Sequence, residues 1–300
     1  MNKADFHLID HEIKNLNQKN GVVLLSSFDA WERYVWTRKL FTKKPQLGYF
    51  FWVKESPKVA LSSCISLASY GARQKLTNLV VIESGVKVEI KAVCNALTKT
   101  LAGIHIDDSK VVVKEKGFLK ILHQHSWGRK DIVSAKIDFF VRKGASLNYV
   151  YKNLASPKRL KMGNRIYLKE KAKADSQVII EAEKSKIEID EALLLKEKNC
   201  SGSLALRLVG REKTNIEAVS KITAQGAGRG HLDCQGLLVD KKSKMSLTPK
   251  LINKNSQALI THEASIGRIE KGKLEYLQSR GLNEERAIDL LVKGFLDKEN

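Results

Sequence analysis

Cysteine is scarce in this chain: four residues in 300, at positions 64, 94, 200 and 234. None stands in a CxxC pair, and so few over such a length cannot staple a fold. A disulfide scaffold is excluded, and the thiols are expected to be reduced. Long apolar runs are also missing. The longest, such as LVVI and LLL, fall far short of the roughly 20 residues that a membrane helix needs. The opening MNKADFHLIDHEIKNL carries acids where a signal peptide would carry an apolar core. The expectation is a soluble, cytoplasmic protein. Catalytic fingerprints are absent too: no Walker loop, no Rossmann glycine pattern, no Ser-His-Asp order. The glycine-rich AQGAGRGH lacks the Lys-Ser/Thr ending of a phosphate loop, so any nucleotide hydrolysis must reside in a partner.

Acidic residues are in deficit. Asp plus Glu number 33 against 53 Lys plus Arg, a formal charge of +20. The positive charges are spread along the chain and interleaved with glutamates, as in KEKAKADSQ and EAEKSKIEID. No basic stripe carries aromatic platforms, so the charge reads as solvated surface rather than as a nucleic-acid groove. What is present is apolar material for a core, 43% of all residues.

Three regions follow from the patterning. Residues 1–58 read as helical or mixed. Phe6, Ile9, Ile13 and Leu16 predict an amphipathic helix over 1–20. Phe28 to Leu40, with Trp31, Tyr34, Val35 and Trp36, predicts a second helical stretch, and LGYFFWVK a short strand before Pro57. From Val59 to residue 265 the character changes to short alternating runs separated by turns, such as LTNLVVIESGVKVEIKAV and KIDFFVRKGASLNYVYKNL. Gly85, Gly117 and Gly144 punctuate units of about 30 residues. Period-two alternation with a repeat of that length predicts a mainly β chain, with each unit stacking on the next in a β-helix. Residues 266–300 return to helix. Ile269 to Gln278 predicts one helix ended at Gly281, and Asn283 caps another with Glu284 and Glu285 in its first turn. Ala287, Ile288, Leu291, Val292 and Phe295 form its apolar stripe.

Thiol, imidazole and carboxylate are the residue types of a soft transition-metal site. Cys234 lies in HLDCQGLLV, where a strand would turn Asp233 and Gln235 to the opposite face. Cys94 ends an apolar strand in IKAVCNAL. Either cysteine alone reads equally well as a small buried hydrophobe. His262 and Glu263 are adjacent, so in a strand they face opposite ways and share a pocket only across a bend or a second subunit. His123 and His125 share one strand face, a spacing able to hold a metal but without a local third ligand.

THEASIGRIEKGKLEYLQSRGLNEERAIDLLVKGF (261–295) resembles the ending of the SufB/SufD family of iron–sulfur cluster assembly proteins. LAGIHIDDSKVVVKEKGFLKILHQHSW (101–127) resembles a second segment of that family. With GHLDCQGLLV, the similarity runs from about residue 75 to 295. The resemblance implies a right-handed parallel β-helix core with a C-terminal helical domain, and a short, minimal SufB-like scaffold. It implies a SufC-like ABC ATPase as partner, a sulfur donor protein, and pairing through the β-helix, as a homodimer or with a SufB/SufD paralogue. The scaffold itself is then no enzyme, and ATP hydrolysis belongs to the partner. By resemblance, Cys234, Glu263 and His262 are ligands of a nascent iron–sulfur cluster, expected to be 4Fe-4S, at a dimer interface. Cys94 matches a sulfur-accepting cysteine, preceded here by Val93 where the family has glycine. His125 and Trp127 line a sulfur path that reaches Cys234. Tyr276, Arg280, Ile288, Leu291 and Phe295 fall on the helices that dock the ATPase.

Two other readings compete. One is a basic β-solenoid that binds nucleic acid or protein without cluster chemistry. The other is a β-helix carbohydrate-active enzyme, which requires a carboxylate set that Asp107, Asp108 and Asp138 would have to supply.

Overall fold

The computed structural model describes residues 4–41 and 43–297. Residues 1–3 of the predicted first helix and 298–300 of the predicted last region lie outside the described residues. The chain is mainly β: a parallel β-solenoid of about 8 turns with helices near its termini. Two sheets form it. One contains β5 (Leu61–Leu67), β7 (Lys87–Ala96), β9 (Phe118–Ser126), β11 (Ser146–Ala155), β13 (Lys173–Glu183), β15 (Ser201–Arg211), β17 (Arg229–Leu238) and β19 (Leu259–Arg268) in that spatial order. The facing sheet contains β4 (Tyr49–Val53), β6 (Arg73–Ile82), β8 (Ile104–Val113), β10 (Ile132–Val141), β12 (Arg159–Leu168), β14 (Lys186–Leu195), β16 (Asn215–Ala224) and β18 (Lys244–Asn253).

Each strand pairs with the strand one turn away, in parallel and nearly without register shifts. The step ranges from 27 residues, Val150 to Gln177, to 31 residues, Cys94 to His125. Alternate residues face inward. In β10 these are Val133, Ala135, Ile137, Phe139 and Val141, all buried. Stacked inward rows from both sheets merge into one apolar core, as a solenoid must, because a single turn cannot bury its own face. The corners need left-handed backbone. Gly85 (φ 73°) and Gly144 (φ 64°) supply it in two turns, and Lys116 (φ 57°) and Lys171 (φ 58°) adopt it in others.

The N-terminal region departs from expectation. Instead of one helix over 1–20, β1 (Phe6–Ile9) and β2 (Glu12–Leu16) form a hairpin, with β1 paired in parallel to β5. Phe6 and Leu8, two apart, are the buried pair. The helical spacing of Phe6, Ile9, Ile13 and Leu16 loses because the exposed edge of β5 offers a complete backbone ladder. Asp10 (φ 50°) makes the turn, and its carboxylate accepts hydrogen bonds from the Ala68 and Ser69 amides. The second helical stretch is present as α1 (Ser27–Arg33), a 3₁₀ turn (Val35–Thr37) and α2 (Arg38–Phe41). Its aromatics pack on β4: Trp36 meets Phe50 and Trp52 edge-on at 5.9 and 5.2 Å. β3 (Val22–Ser26) pairs antiparallel to β4. The hairpin and β3 thus close the N-terminal end of the solenoid.

The other end is open. β18 and β19 are the outermost strands of their sheets, and β19 is exposed along nearly its whole length. Two helices follow, α3 (Lys271–Ser279) and α4 (Glu284–Leu296). Gly281 (φ 93°) stands between them, and the Asn283 side chain caps α4 by accepting from the Arg286 amide. α4 does not cover the open end. It folds back along the first sheet, where Val292 and Leu296 pack on Ile179 and Val209.

Candidate functional site

The inward rows are mostly apolar, but buried polar residues interrupt them, most densely in the turns around β7, β8 and β9. Cys94, at the end of β7, stands in register with His125 of β9, and Ala92 with His123. All three polar side chains point inward and are buried. Their donor atoms converge: Cys94 Sγ lies 3.5 Å from His123 Nε2, and His125 Nε2 lies 2.9 Å from the same nitrogen. The group is ringed by aromatics. Trp127 Nε1 donates to His125 Nδ1 at 3.2 Å, Tyr151 Oη lies 3.0 Å from that nitrogen, and Tyr149 Oη lies 3.4 Å from His123 Nδ1.

Those contacts assign protons. An indole N–H only donates, so His125 Nδ1 accepts and its proton sits on Nε2. That Nε2–H donates to His123 Nε2, which leaves the His123 proton on Nδ1, toward Tyr149. Burial governs the charges. Desolvation pushes the Cys94 thiol well above its ordinary pKa, with the Asp107 carboxylate adding to the effect. It holds His123 down at about 4 and His125 well below its usual value. At neutral pH the cluster is a neutral thiol beside two neutral imidazoles.

β8 in the facing sheet supplies His105 and Asp107, also inward and buried. Gln74 Oε1 lies 2.7 Å from His105 Nδ1, and the His105 ring lies 4.8 Å from that of Trp127. Asp107 accepts from Asn78 and Ser109, and burial raises its pKa to about 7. His105, Gln74, Tyr149 and Tyr151 are absent from the sequence-level candidates. The signal for them was parity: in RQKLTNLVVI, IHIDDSKVVV and SLNYVYKNL they fall on the inward alternate positions. Asp107 does not combine with the acids once considered beside it. Asp108 and Asp138 lie on the outward positions of their strands, so the carbohydrate-enzyme reading loses its carboxylate set.

A sparse polar column continues from this cluster toward the open end. Asn164 on β12 acts on both Tyr149 and Glu191, and Ser220 on β16 and Glu191 on β14 act on Cys234. The Glu191 carboxylate is buried without a well-formed hydrogen bond, and burial raises its pKa well above the carboxylate range.

Cys234 itself is an inward, buried residue of β17 in the last covered turn, and burial raises its thiol pKa. Asp233 occupies the outward face, as alternation requires, yet is buried because Arg207 of β15 pairs with it at 2.5 Å. The register of β19 on β17 sets His262 opposite Leu232, Glu263 opposite Asp233 and Ala264 opposite Cys234. His262 therefore shares the inward face with Cys234, offset along the strand, while Glu263 lies on the outward face. Both are exposed at the open end. Among the described residues, Cys94, His123 and His125 are the one group of three potential metal ligands whose donor atoms lie within 4.8 Å of one another.

Of the predicted docking residues, Tyr276 is exposed and Arg280 stacks over its ring at 5.4 Å. Ile288 and Phe295 are half-buried against the solenoid as part of the α4 contact.

Residues 66–295 match the family described as "SUF system FeS cluster assembly, SufBD core domain". The chain belongs to the SufBD family. Relatives named as iron–sulfur cluster assembly SufBD family proteins agree with this. The Archaeoglobus fulgidus protein is 27% identical over 297 residues, covering 93% of this chain and 80% of its own length. The Pyrococcus horikoshii protein is 27% identical over 262 residues, covering 83% of this chain but 57% of its own length. The Methanothermobacter thermautotrophicus protein is 24% identical over 278 residues, covering 89% of this chain and 67% of its own length. The chain thus spans little more than half of some SufBD relatives. Family membership supports a role in iron–sulfur cluster assembly. No helix among the described residues is long and apolar enough to cross a membrane.

Proposed function

We propose that this SufBD protein is a scaffold subunit that accepts sulfur inside its solenoid and builds a nascent iron–sulfur cluster at its open end. Cys94 is the acceptor: its sulfur attacks the outer sulfur of a donor persulfide, the donor S–S bond breaks, and the Cys94 proton leaves with the donor as its thiol. The observation that carries this reading is the placement of two inward cysteines, Cys94 within the His/Tyr/Trp cluster and Cys234 beside the open turn, with polar inward groups between them. His125 and Trp127 belong to the path. Cys234, His262 and Glu263 are the cluster ligands, contributed from two chains, since one chain offers them from opposite strand faces.

The open end supports pairing. Among the described residues, β18 and β19 leave two sheet edges side by side, each with a row of backbone groups able to pair with a further strand. A second copy, or a paralogue of the same family, would continue both sheets. A SufC-like ATPase is the docking partner of Tyr276, Arg280 and the free face of α4, and it supplies the ATP hydrolysis. The scaffold holds iron and sulfide as cargo in the cytoplasm, and a cubane 4Fe-4S product is the form we expect.

Anaerobic reconstitution with iron and sulfide, read by absorption and Mössbauer spectra, tests this. The wild-type protein should assemble a cluster, and Cys234→Ala should lose it. A cluster that persists unchanged in Cys234→Ala would remove it from the open end. Absence of specific iron binding would leave a basic solenoid whose role is docking alone.

A further inference from the structure

Cys94, His123 and His125 have a property that sulfur transfer does not require. In a tetrahedral zinc site, bonds of roughly 2.0–2.3 Å place neighbouring nitrogens about 3.3 Å apart and a nitrogen and a sulfur about 3.6 Å apart. Here the His123 and His125 nitrogens lie 2.9 Å apart, and the His123 nitrogen lies 3.5 Å from the Cys94 sulfur. Shifts of a few tenths of an ångström would open these two edges around an ion. All three side chains are buried, on neighbouring stacked strands rather than on mobile loops. Charge balance is also provided. Asp107 is buried close enough to act electrostatically on Cys94, and its hydrogen bonds go to Asn78 and Ser109 rather than to a cation. A thiolate and this carboxylate together neutralise a divalent ion.

We propose that Cys94, His123 and His125 form a binding site for a single borderline-soft divalent ion of the zinc class, inside the solenoid and separate from the cluster-building open end. One thiolate and two imidazoles leave a fourth position for water or an exogenous sulfur ligand. Binding releases one proton from Cys94. It also moves the His125 proton from Nε2 to Nδ1, where the Tyr151 hydroxyl, 3.0 Å away, accepts it. The Trp127 indole N–H, which points at the same nitrogen, opposes that tautomer. Trp127 is therefore a positioning residue that holds the site in its metal-free, hydrogen-bonded form.

The inference stands on this geometry and not on cluster assembly, and it is tested without sulfide so that no cluster can form. Metal content is measured on protein purified from zinc-supplemented cells. The zinc is then exchanged anaerobically for cobalt. One ion per chain is expected, with thiolate-to-cobalt charge-transfer absorption and tetrahedral ligand-field bands. Cys94→Ala should abolish the charge transfer and weaken binding by at least about 100-fold, beyond the effect of losing a supporting hydrogen bond. His123→Gln gives the same loss of affinity should Cys94→Ala not fold. Cys234→Ala should bind as wild type does. Trp127→Phe should bind more tightly, because the donor opposing the ligating tautomer is gone. Substoichiometric metal, charge transfer surviving in Cys94→Ala, its loss in Cys234→Ala, or unchanged affinity in Trp127→Phe would each overturn the assignment.

Discussion

Cys234 stands in register with Ala264, one strand away, and not with His262 or Glu263. The residues that resemble a ligand set in sequence are therefore split by the strand into an inward pair, Cys234 and His262, and an outward Glu263. In the proposed cluster site, a second chain across the open end would supply the ligands that this face lacks.

On the proposed ligand set, cluster assembly would depend on association. Ile266, on the outermost strand β19, is exposed. Ile266→Lys should blunt the edge and give a monomer by analytical ultracentrifugation, because a lysine on an edge strand opposes edge-to-edge pairing. The monomer should fold normally and fail to hold a cluster. A cluster retained by a monomer would show that one chain suffices, and a heterodimeric mass for the native complex would replace the second copy with a paralogue.

The Arg207–Asp233 pair on the outward side of β15 and β17 lies beneath little solvent: the Arg207 side chain is 1% exposed. Removing one partner of a buried ion pair takes away the charge-balancing contact from a group held in low dielectric. Asp233→Ala should lower stability by about 3–5 kcal/mol in urea unfolding, whereas Arg207→Met with Asp233→Leu should recover much of that loss. Equal losses in the single and double variants would mean that the pair's other contacts, not its charge balance, dominate.

Asp107 gives a pH signature. Its folded pKa of about 7 lies above its ordinary 3.8, so the folded state binds the proton more tightly than the unfolded state. The sign is that stability falls as pH rises from near 4 to near 7, and the deficit is complete above 7. In Asp107→Asn, the new amide oxygen can still accept from Asn78 and Ser109. Relative to metal-free wild type, this variant should gain up to about 4 kcal/mol by pH 8 and little at pH 4. A pH-independent difference in chemical denaturation would show that Asp107 does not titrate in this range.

The two C-terminal helices should separate folding from docking. Val292 is buried under α4, so Val292→Asp should cost about 3 kcal/mol and expose α4 to limited proteolysis. Tyr276 is exposed, and Tyr276→Ala should leave thermal stability within about 0.5 kcal/mol of wild type. It should nonetheless weaken capture of a SufC-like ATPase in pull-down or calorimetry. Unchanged affinity in Tyr276→Ala would move the docking surface off α3.

The sequence by itself determined the solenoid. Period-two alternation with turns repeating at near-constant spacing leaves each unit unable to bury its apolar face except against the next, and that constraint is local enough to read. The end of α3 at Gly281 and the start of α4 at Asn283, Glu284 and Glu285 were legible for the same reason: these residues act within a few residues of themselves. The family endings in 261–295 and 101–127 were legible as continuous segments. Tertiary structure decided the rest. Residues 1–20 carry a spacing compatible with a helix, and only the free edge of β5, where Phe6 pairs with Ser63, turns Phe6 to Leu16 into a hairpin. The meeting of Cys94 with His123 depends on a register across 29 residues, and the approach of His105 to Trp127 on two sheets facing each other. One face of a strand can be inferred from its own alternation. Which residue lies one turn above it depends on the length of every intervening loop, and that is settled only when the turns stack.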